Sequence, residues 1–304
     1  MGNGLTVLGC FAHPDDEGLM TGAFARYIEE GARCALICAT RGEVGEIAPG
    51  VNATRETLGQ VREQELRTAM AHINLSEIYF LDYRDSGMDG TAENQDTRAF
   101  INAPDNEVTG KLVRLIRTIK PQVLVTFDPK GGYGHPDHIK IHHATMAAFD
   151  LAGDPHAFPA QIKDGLQPFT PLKVYWTSFS REFFSEVGRY LAEQGMDLTQ
   201  FGPFNPQTRV SMMEHDVTTQ VHVASFVELK ERAWASHATQ QNPNSVLGKL
   251  PREMWRKFRM TEHFILAKTR APHLGSIIED DLFAGVRERL QQRAEITGTI
   301  NSAR

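Results

Sequence analysis

Leu5-Thr6-Val7-Leu8-Gly9-Cys10-Phe11-Ala12-His13-Pro14-Asp15-Asp16-Glu17 carries the reading of the fold. Its first seven residues are mostly apolar and read as a buried strand. The last six leave that strand, and a helical pattern follows from about Leu19 to Glu30. A histidine and two adjacent carboxylates therefore stand on a strand-to-helix turn. That is the carboxyl end of a strand, the edge at which open α/β sheets bind ligands.

Outward from this segment the first 150 residues keep alternating. Strand-like runs recur at Ala35–Thr40, Ile78–Leu81 and Val123–Phe127, with helical patterns at about Arg55–His72, Glu107–Ile119 and Pro136–Asp150. Lys120-Pro121 closes the helix ahead of the Val123 run, as a proline just past a helix end should. Residues 150–171 are rich in Gly and Pro and read as a long connection. Beyond it, strands are predicted at Lys173–Thr177, near Val217–Val221 and near Glu262–Ala267. Helices are predicted at about Arg181–Gln194, Phe226–Thr239 and Asp281–Glu295, with a loop at Gly202–Pro206. The expected class is α/β, a Rossmann-like, doubly wound and mostly parallel sheet with helices on both faces. A single domain over 1–304 is expected. Residues 1–150 form its core and metal site, and 151–304 complete the sheet and the substrate cleft.

Composition narrows the partners. A formal net charge of −6 gives no electrostatic footprint for nucleic acid or an anionic membrane, and neither is expected as a partner. A modest basic cluster at Arg252, Arg256, Lys257 and Arg259 reads as a solvated helix face. No apolar run reaches the roughly 18 residues of a membrane helix. Cys10, Cys34 and Cys38 fall in apolar segments and read as reduced core thiols. With no signal-peptide pattern before the first strand, they lead to the expectation of a cytoplasmic protein. The sequence is compatible with a homo-oligomer.

A second cluster, Gly131-Gly132-Tyr133-Gly134-His135-Pro136-Asp137-His138, follows the Val123 strand and opens the next helix. In a parallel sheet two such loops converge on one crevice. Zinc takes imidazole nitrogen and carboxylate oxygen, and a catalytic site uses three protein ligands and keeps one position open. His13 and Asp16, three apart across a turn, can face one ion, and His138 can close the set. Zn2+ is the first expectation, and Fe2+ suits the same two-histidine, one-carboxylate set. Such a set leaves the ion net positive, which brings the pKa of a bound water toward neutrality. Asp15 then lies beside that water as general base. His135 is free to protonate a leaving amine or bond an oxyanion, and Asp137 is counted with the catalytic group. Taken singly, Asp15-Asp16 would read as a helix cap and a first-turn charge, and His-Pro as a plain turn. Both clusters together, each after a predicted strand, outweigh that reading. His138 and His142 are four apart on one face and both could bind metal. A single ligand is preferred because His142 lies one turn further from the loop mouth, and the role of His143 stays open.

The two clusters resemble the signatures of the LmbE-like (PIG-L) family of zinc-dependent N-acetylglucosaminyl deacetylases. The resemblance extends to Thr40-Arg41-Gly42-Glu43-Val44-Gly45-Glu46, to Arg62, to Tyr83-Arg84-Asp85-Ser86-Gly87-Met88 and to Ser236-His237-Ala238-Thr239-Gln240, closest in look to the branch of mycothiol metabolism. It is close over about the first 145 residues and loose beyond. It implies zinc on His13, Asp16 and His138, Asp15 as base, and His135 as acid or oxyanion partner. Tyr133 would help polarise the amide carbonyl, and Glu46, Arg62 and Asp85 would contact the sugar. His237 falls in a family-like stretch, as a rim residue or a packed histidine. Arg41 departs from the branch, which more often carries an apolar residue there, and Ile47–Thr54 and 150–171 fit no family pattern.

The function expected is hydrolytic removal of acetate from an N-acetylglucosamine-containing small molecule. The nearest alternative keeps the site and cleaves thiol conjugates of a mycothiol-like compound. A distant one is a nucleotide-binding module, although no G-x-G-x-x-G or Walker sequence occurs.

Overall fold

The computed structural model describes residues 4–200, 216–243, 245, 247–272, 275 and 277–290. Seven strands form one sheet: β1 Thr6–Phe11, β2 Arg33–Cys38, β3 Glu77–Phe80, β4 Val123–Thr126, β5 Lys173–Ser178, β6 Thr219–His222 and β7 Thr261–Thr269. Their order across the sheet is β3-β2-β1-β4-β5-β7-β6. The first five are parallel, while β7 runs antiparallel to β5 and to β6. The doubly wound, mostly parallel sheet is the one expected. Of the strands of the second half, β5 continues the parallel run, and β7 and β6 extend it as an antiparallel edge.

Nine α-helical segments connect them: α1 Thr21–Glu29, α2 Leu58–Ala71, α3 Asp105–Ile119, α4 Gly131–Gly134, α5 Pro136–Leu151, α6 Pro159–Lys163, α7 Arg181–Glu193, α8 Val227–Ala235 and α9 Arg252–Arg259, counted among the described residues. The α1, α2 and α8 helices pack together, and α3 packs on α5. These two layers cover opposite faces, as the crossovers of a doubly wound sheet require. Hence β1 is buried on both sides, and Val7, Leu8, Cys10 and Phe11 are at most 1% exposed. Cys10, Cys34 and Cys38 are buried and free, as read from their apolar settings.

Strand order reverses between β1 and β4, so the connections leaving their carboxyl ends diverge and open a crevice. Both His-Pro-Asp clusters sit there. The first helical pattern breaks in two: a 3-10 turn at Asp16–Leu19 precedes α1, which begins only at Thr21. Glu262 of β7 accepts from Gly22 N (2.8 Å) and Ala23 N (2.7 Å), capping that helix from across the sheet. The predicted loop at Gly202–Pro206, and the terminal helix beyond residue 290, lie outside the described residues; 286–290 are helical. Among the described residues, no helix is long and apolar enough to cross a membrane.

The 150–171 connection is less irregular than its composition suggested, because it carries α6 and is fastened to α3. Arg117, 1% exposed, donates to Ala152 O (3.1 Å), Asp154 O (2.7 Å), Ala157 O (2.9 Å) and Gln161 Oε1 (3.1 Å). The guanidinium thus satisfies carbonyls that the non-helical connection leaves open. Arg117→Ala strands several buried acceptors and is expected to lower the unfolding free energy by about 2–4 kcal/mol. Urea titration would check this; a loss under about 0.5 kcal/mol would refute the fastening role.

Candidate metal centre and active site

His13 follows β1 and His138 opens α5 after β4, and the sheet brings their rings together. His13 Nδ1 and His138 Nε2 lie 3.2 Å apart in a buried space. Each ring has its other nitrogen engaged. His138 Nδ1 donates to Gly131 O at 3.1 Å, and His13 Nε2 faces Asp137 Oδ2 at 3.2 Å and Asp85 Oδ1 at 3.4 Å. Carboxylates and carbonyls only accept, so those nitrogens carry the protons. In the neutral rings the two facing nitrogens are left with lone pairs, so a proton or a metal ion belongs between them. Gly131 makes this possible locally: it has φ +63°, and a Cβ there would stand 2.7 Å from His138 Cβ.

Asp16 completes the group. Its Oδ2 accepts from the backbone N–H of His13 (2.7 Å) and Ala12 (3.2 Å), which folds the turn back on the strand end. Its carboxylate then lies 3.5 Å from His13 Nδ1 and 3.4 Å from His138 Nε2. The facing ring nitrogens are 3.2 Å apart and Asp16 presents Oδ2 to His13 and Oδ1 to His138, spacings that suit a small cation with bonds of about 2.0–2.1 Å, the lengths of zinc–nitrogen and zinc–oxygen bonds. The charge balance also suits a cation. Burial opposes protonation of His13, yet Asp85, Asp137 and Asp16 together hold its pKa well above the usual value. Burial likewise works to raise Asp16, but His138 and His13 outweigh it and keep that carboxyl well below the ordinary range. The buried His/Asp cluster fits a metal ion, and the carboxylates and carbonyl that hold the outer nitrogens of the two rings are partners of the kind metal-bound histidines use.

His135 is within the same reach: nitrogens of His13, His135 and His138 lie within 4.8 Å of one another. Its Nδ1, however, accepts from the backbone N–H of Asp137 at 3.2 Å, capping α5. The proton therefore resides on Nε2, which presents a donor and no lone pair. Burial, aided by the neighbouring His13 and His138, brings the His135 pKa down to about 4.

Asp15 sits at φ +110°, a left-handed conformation rare for a residue with a side chain. Three groups hold it. Glu17 Oε2 accepts from its backbone N–H at 2.8 Å, and Arg62 donates to its Oδ1 (3.2 Å) and to Pro14 O (2.5 Å). His237, 1% exposed, in turn donates from Nε2 to Glu17 Oε1 at 2.7 Å. Burial pushes the Asp15 carboxyl up to about 6 against the pull of Arg62. Sequence reading missed Glu17, whose partner lies 220 positions away, and left His237 between a rim and a packed role. Arg62 also bonds Gly42 O at 3.1 Å, and a Cβ on Gly42 would collide with its guanidinium.

His13, Asp15, Asp16, His135 and His138 line one cavity of about 640 Å³ with Glu46, Arg62, Asp85 and Tyr133. Tyr133 is 41% exposed, and Glu46 is exposed at the rim. Asp85 is buried with Oδ1 on Gly87 N (2.9 Å) and Oδ2 on Val44 N (3.3 Å), so it braces two rim loops. Asp137 is fully buried behind His13 and also accepts from Ser86 N at 3.0 Å. His142 is not brought into the cluster, for its Nδ1 bonds Phe127 O at 2.8 Å, and His143 is exposed. Arg41 turns outward to Glu63 and Asp82, which removes that departure from the cavity. Glu65, unmarked by the sequence reading, accepts from Thr239 N (2.8 Å) and Oγ1 (2.6 Å) and pins the Ser236–Gln240 stretch to α2.

Residues 8–149 match the family model described as PIG-L, GlcNAc-PI de-N-acetylase. The 1D-myo-inositol 2-acetamido-2-deoxy-alpha-D-glucopyranoside deacetylase of Streptomyces scabiei is 38% identical over 294 residues, covering 90% of this chain and 88% of the relative. The enzyme of the same name from Rhodococcus jostii is 36% identical over 292 residues, covering 90% and 96%. Among solved structures, the fold is similar to the N,N'-diacetylchitobiose deacetylase of Pyrococcus horikoshii (TM-score 0.58, 19% identity, 86% and 83% of the two chains). It is similar also to the 4-carboxy-2-hydroxymuconate hydratase of Pseudomonas putida (TM-score 0.56, 17% identity, 88% and 98%), so the fold alone does not name the reaction. With relatives at this identity along nine-tenths of its length, and both His-Pro-Asp clusters inside the matched stretch, the chain belongs to the PIG-L family.

Proposed function

We propose that this chain removes the acetyl group from the 2-acetamido group of an N-acetylglucosamine-containing small molecule. The reading rests on one observation: His13, His138 and Asp16 converge as a three-donor face, with the Asp15 carboxylate beside them in the same cavity. The relatives that match nine-tenths of the chain are named as deacetylases of such a glycoside. His13 Nδ1, His138 Nε2 and a carboxylate oxygen of Asp16 would hold the ion, zinc first and Fe2+ as the other fit. Bound there, a divalent ion supplies Lewis acidity toward the amide carbonyl and toward water.

The chain's own groups supply the proton traffic. Asp15 takes the proton of the attacking water, and its elevated pKa suits it to return that proton to the leaving amine. His135, neutral with its proton on Nε2, donates to the oxygen on which charge develops. Tyr133 offers a second donor from the rim. Asp137 fixes the tautomer and tilt of His13. Glu46 is the carboxylate left to accept from sugar hydroxyls. Arg62 and Asp85 act chiefly by shaping the loops, since their polar atoms are largely engaged by Pro14, Gly42, Asp15, Gly87 and Val44.

The test is acetate release from a simple N-acetylglucosaminide, read together with bound metal by elemental analysis. Chelation is expected to abolish turnover and stoichiometric Zn2+ to restore it; full activity in metal-free protein would sink the reading. Asp15→Ala is expected to lose about 10²–10⁴-fold in kcat while keeping its metal. His13→Ala should lose the metal itself. For His135→Ala a fall of about 10²–10³-fold in kcat, with metal retained, is expected from loss of one oxyanion donor. Loss of metal in that variant would instead make His135 a ligand.

A further inference from the structure

The Ser236–Gln240 segment follows α8 in the second half of the chain, yet its side chains bond groups of the first half. At one end His237, 1% exposed, donates from Nε2 to Glu17 Oε1 at 2.7 Å. Its Nδ1 is buried and has no hydrogen-bond partner among the described residues, so Glu17 is the one group to which the ring bonds. At the other end Gln240 donates from Nε2 to Glu46 O at 3.1 Å, and Thr239 O accepts from Ala48 N at 2.8 Å. In the middle, Glu65 of α2 accepts from Thr239 N and Oγ1, which ties the segment to the helix that also carries Arg62. One short stretch of chain thus reaches both the turn that carries the base and the loop that carries the sugar-side carboxylate.

The His237 contact bears on Asp15. Glu17 is 2% exposed and has both carboxylate oxygens engaged: Oε2 accepts from Asp15 N at 2.8 Å, and Oε1 accepts from His237. A carboxylate fixed at one oxygen can still turn, whereas one fixed at both holds the Asp15 peptide in a single orientation. That peptide needs holding, because Asp15 at φ +110° is in a conformation that residues with side chains avoid. Without the ring, one oxygen of a buried Glu17 loses its partner, which is costly, and the side chain is driven to seek another. The Asp15 N–H is then released and its carboxylate shifts. Asp16 is anchored separately, on the N–H groups of Ala12 and His13, so the metal donors stay in place. Thr239 and Gln240 line the cavity with Glu17 and Glu46, whereas His237 does not.

We propose that the Ser236–Gln240 segment positions two parts of the active site separately: His237, through Glu17, sets the Asp15 carboxylate, and Gln240, through the backbone of Glu46, sets the carboxylate that accepts from the sugar. This rests on the deacetylase reading above, which gives Asp15 the proton of the attacking water and Glu46 the sugar hydroxyls. His237 is a positioning residue, buried away from the reacting atoms, and its effect falls on the chemical step. The effect of Gln240 falls on binding.

Acetate release from methyl N-acetylglucosaminide by the metal-loaded full chain tests it. His237→Leu removes the donor and is expected to lower kcat by about 10–100-fold, with KM and bound metal unchanged, as a slightly misplaced base should. His237→Gln, which keeps an N–H donor, should recover most of that loss. Gln240→Ala should instead raise KM by about 3–10-fold, the worth of one neutral hydrogen bond, with little change in kcat. The double variant Glu17→Met/His237→Leu separates positioning from stability. Apolar residues in place of a buried polar pair keep the fold stable, but the Asp15 N–H still lacks its acceptor, so kcat stays as low as in His237→Leu. Wild-type kcat in the double variant, a KM that rises in step with the fall in kcat, or a His237→Gln no better than His237→Leu overturns the role of His237. An unchanged KM in Gln240→Ala overturns the role of Gln240. Each of these results leaves the deacetylase reading intact. If the wild type releases no acetate, that reading falls, and crystal structures of the double variant and of Gln240→Ala decide the positioning by themselves. Asp15 leaving its positive φ and a displaced Glu46 loop uphold it; an unmoved turn and loop overturn it.

Discussion

Two imidazole nitrogens face each other at 3.2 Å, and neither ring is free to turn away. His138 is held by Gly131 O and by Phe127, whose ring stacks on it at 3.9 Å. His13 is held by Asp137, itself fully buried and fixed by Ser86 N. Opposed lone pairs in a dry space repel unless a cation lies between them, so the surrounding fold is arranged around a positive charge. That requirement explains the buried carboxylates nearby, which would otherwise be expensive to desolvate. It also explains why the strand ends must be those of β1 and β4, the pair between which the sheet order reverses.

The same turn carries a local cost. A non-glycine residue in left-handed conformation costs about 1–3 kcal/mol, and Asp15 adopts it beside another carboxylate. The offset comes from contacts of long sequence separation: Glu17 with His237, and Arg62 with Pro14 and Asp15. Strain at the base and rigidity around it are thus one arrangement. Relaxing the Asp15 backbone would swing its carboxylate away from the three-donor face, so the buried Glu17–His237 pair bears on geometry at the reacting atoms without touching them.

What could be read from the chain follows from this physics. The β1 and β4 clusters were legible because strand, turn and helix cap are encoded within about a dozen residues. The ring orientations followed only from partners such as Gly131 O and Asp85, which local pattern does not reveal. His135 and His138 look alike in the sequence. The backbone N–H of Asp137, pointing at one ring and not the other, separates a donor from a ligand. Glu17, Glu65 and Arg117 escaped notice for a related reason: each is a charged residue in an apparently ordinary helix or turn. Their burial is decided by partners brought in by the tertiary fold.

The division of labour along the chain has a consequence for specificity. Every residue of the three-donor face, and Asp15 and His135 with them, lies between positions 13 and 138 and hangs on the parallel half of the sheet. The opposite wall of the cavity comes from β5, α8, α9 and β7, elements joined to that half by the antiparallel β5–β7 edge and by the Glu262 cap on α1. An antiparallel edge tolerates changes in the loops and helices it carries, because its register is set by its own hydrogen bonds. The wall can therefore vary in charge while the strand ends that orient His13, Asp15 and His138 stay fixed. The groups that carry the acyl chemistry and the wall that faces them are thus held by different parts of the sheet.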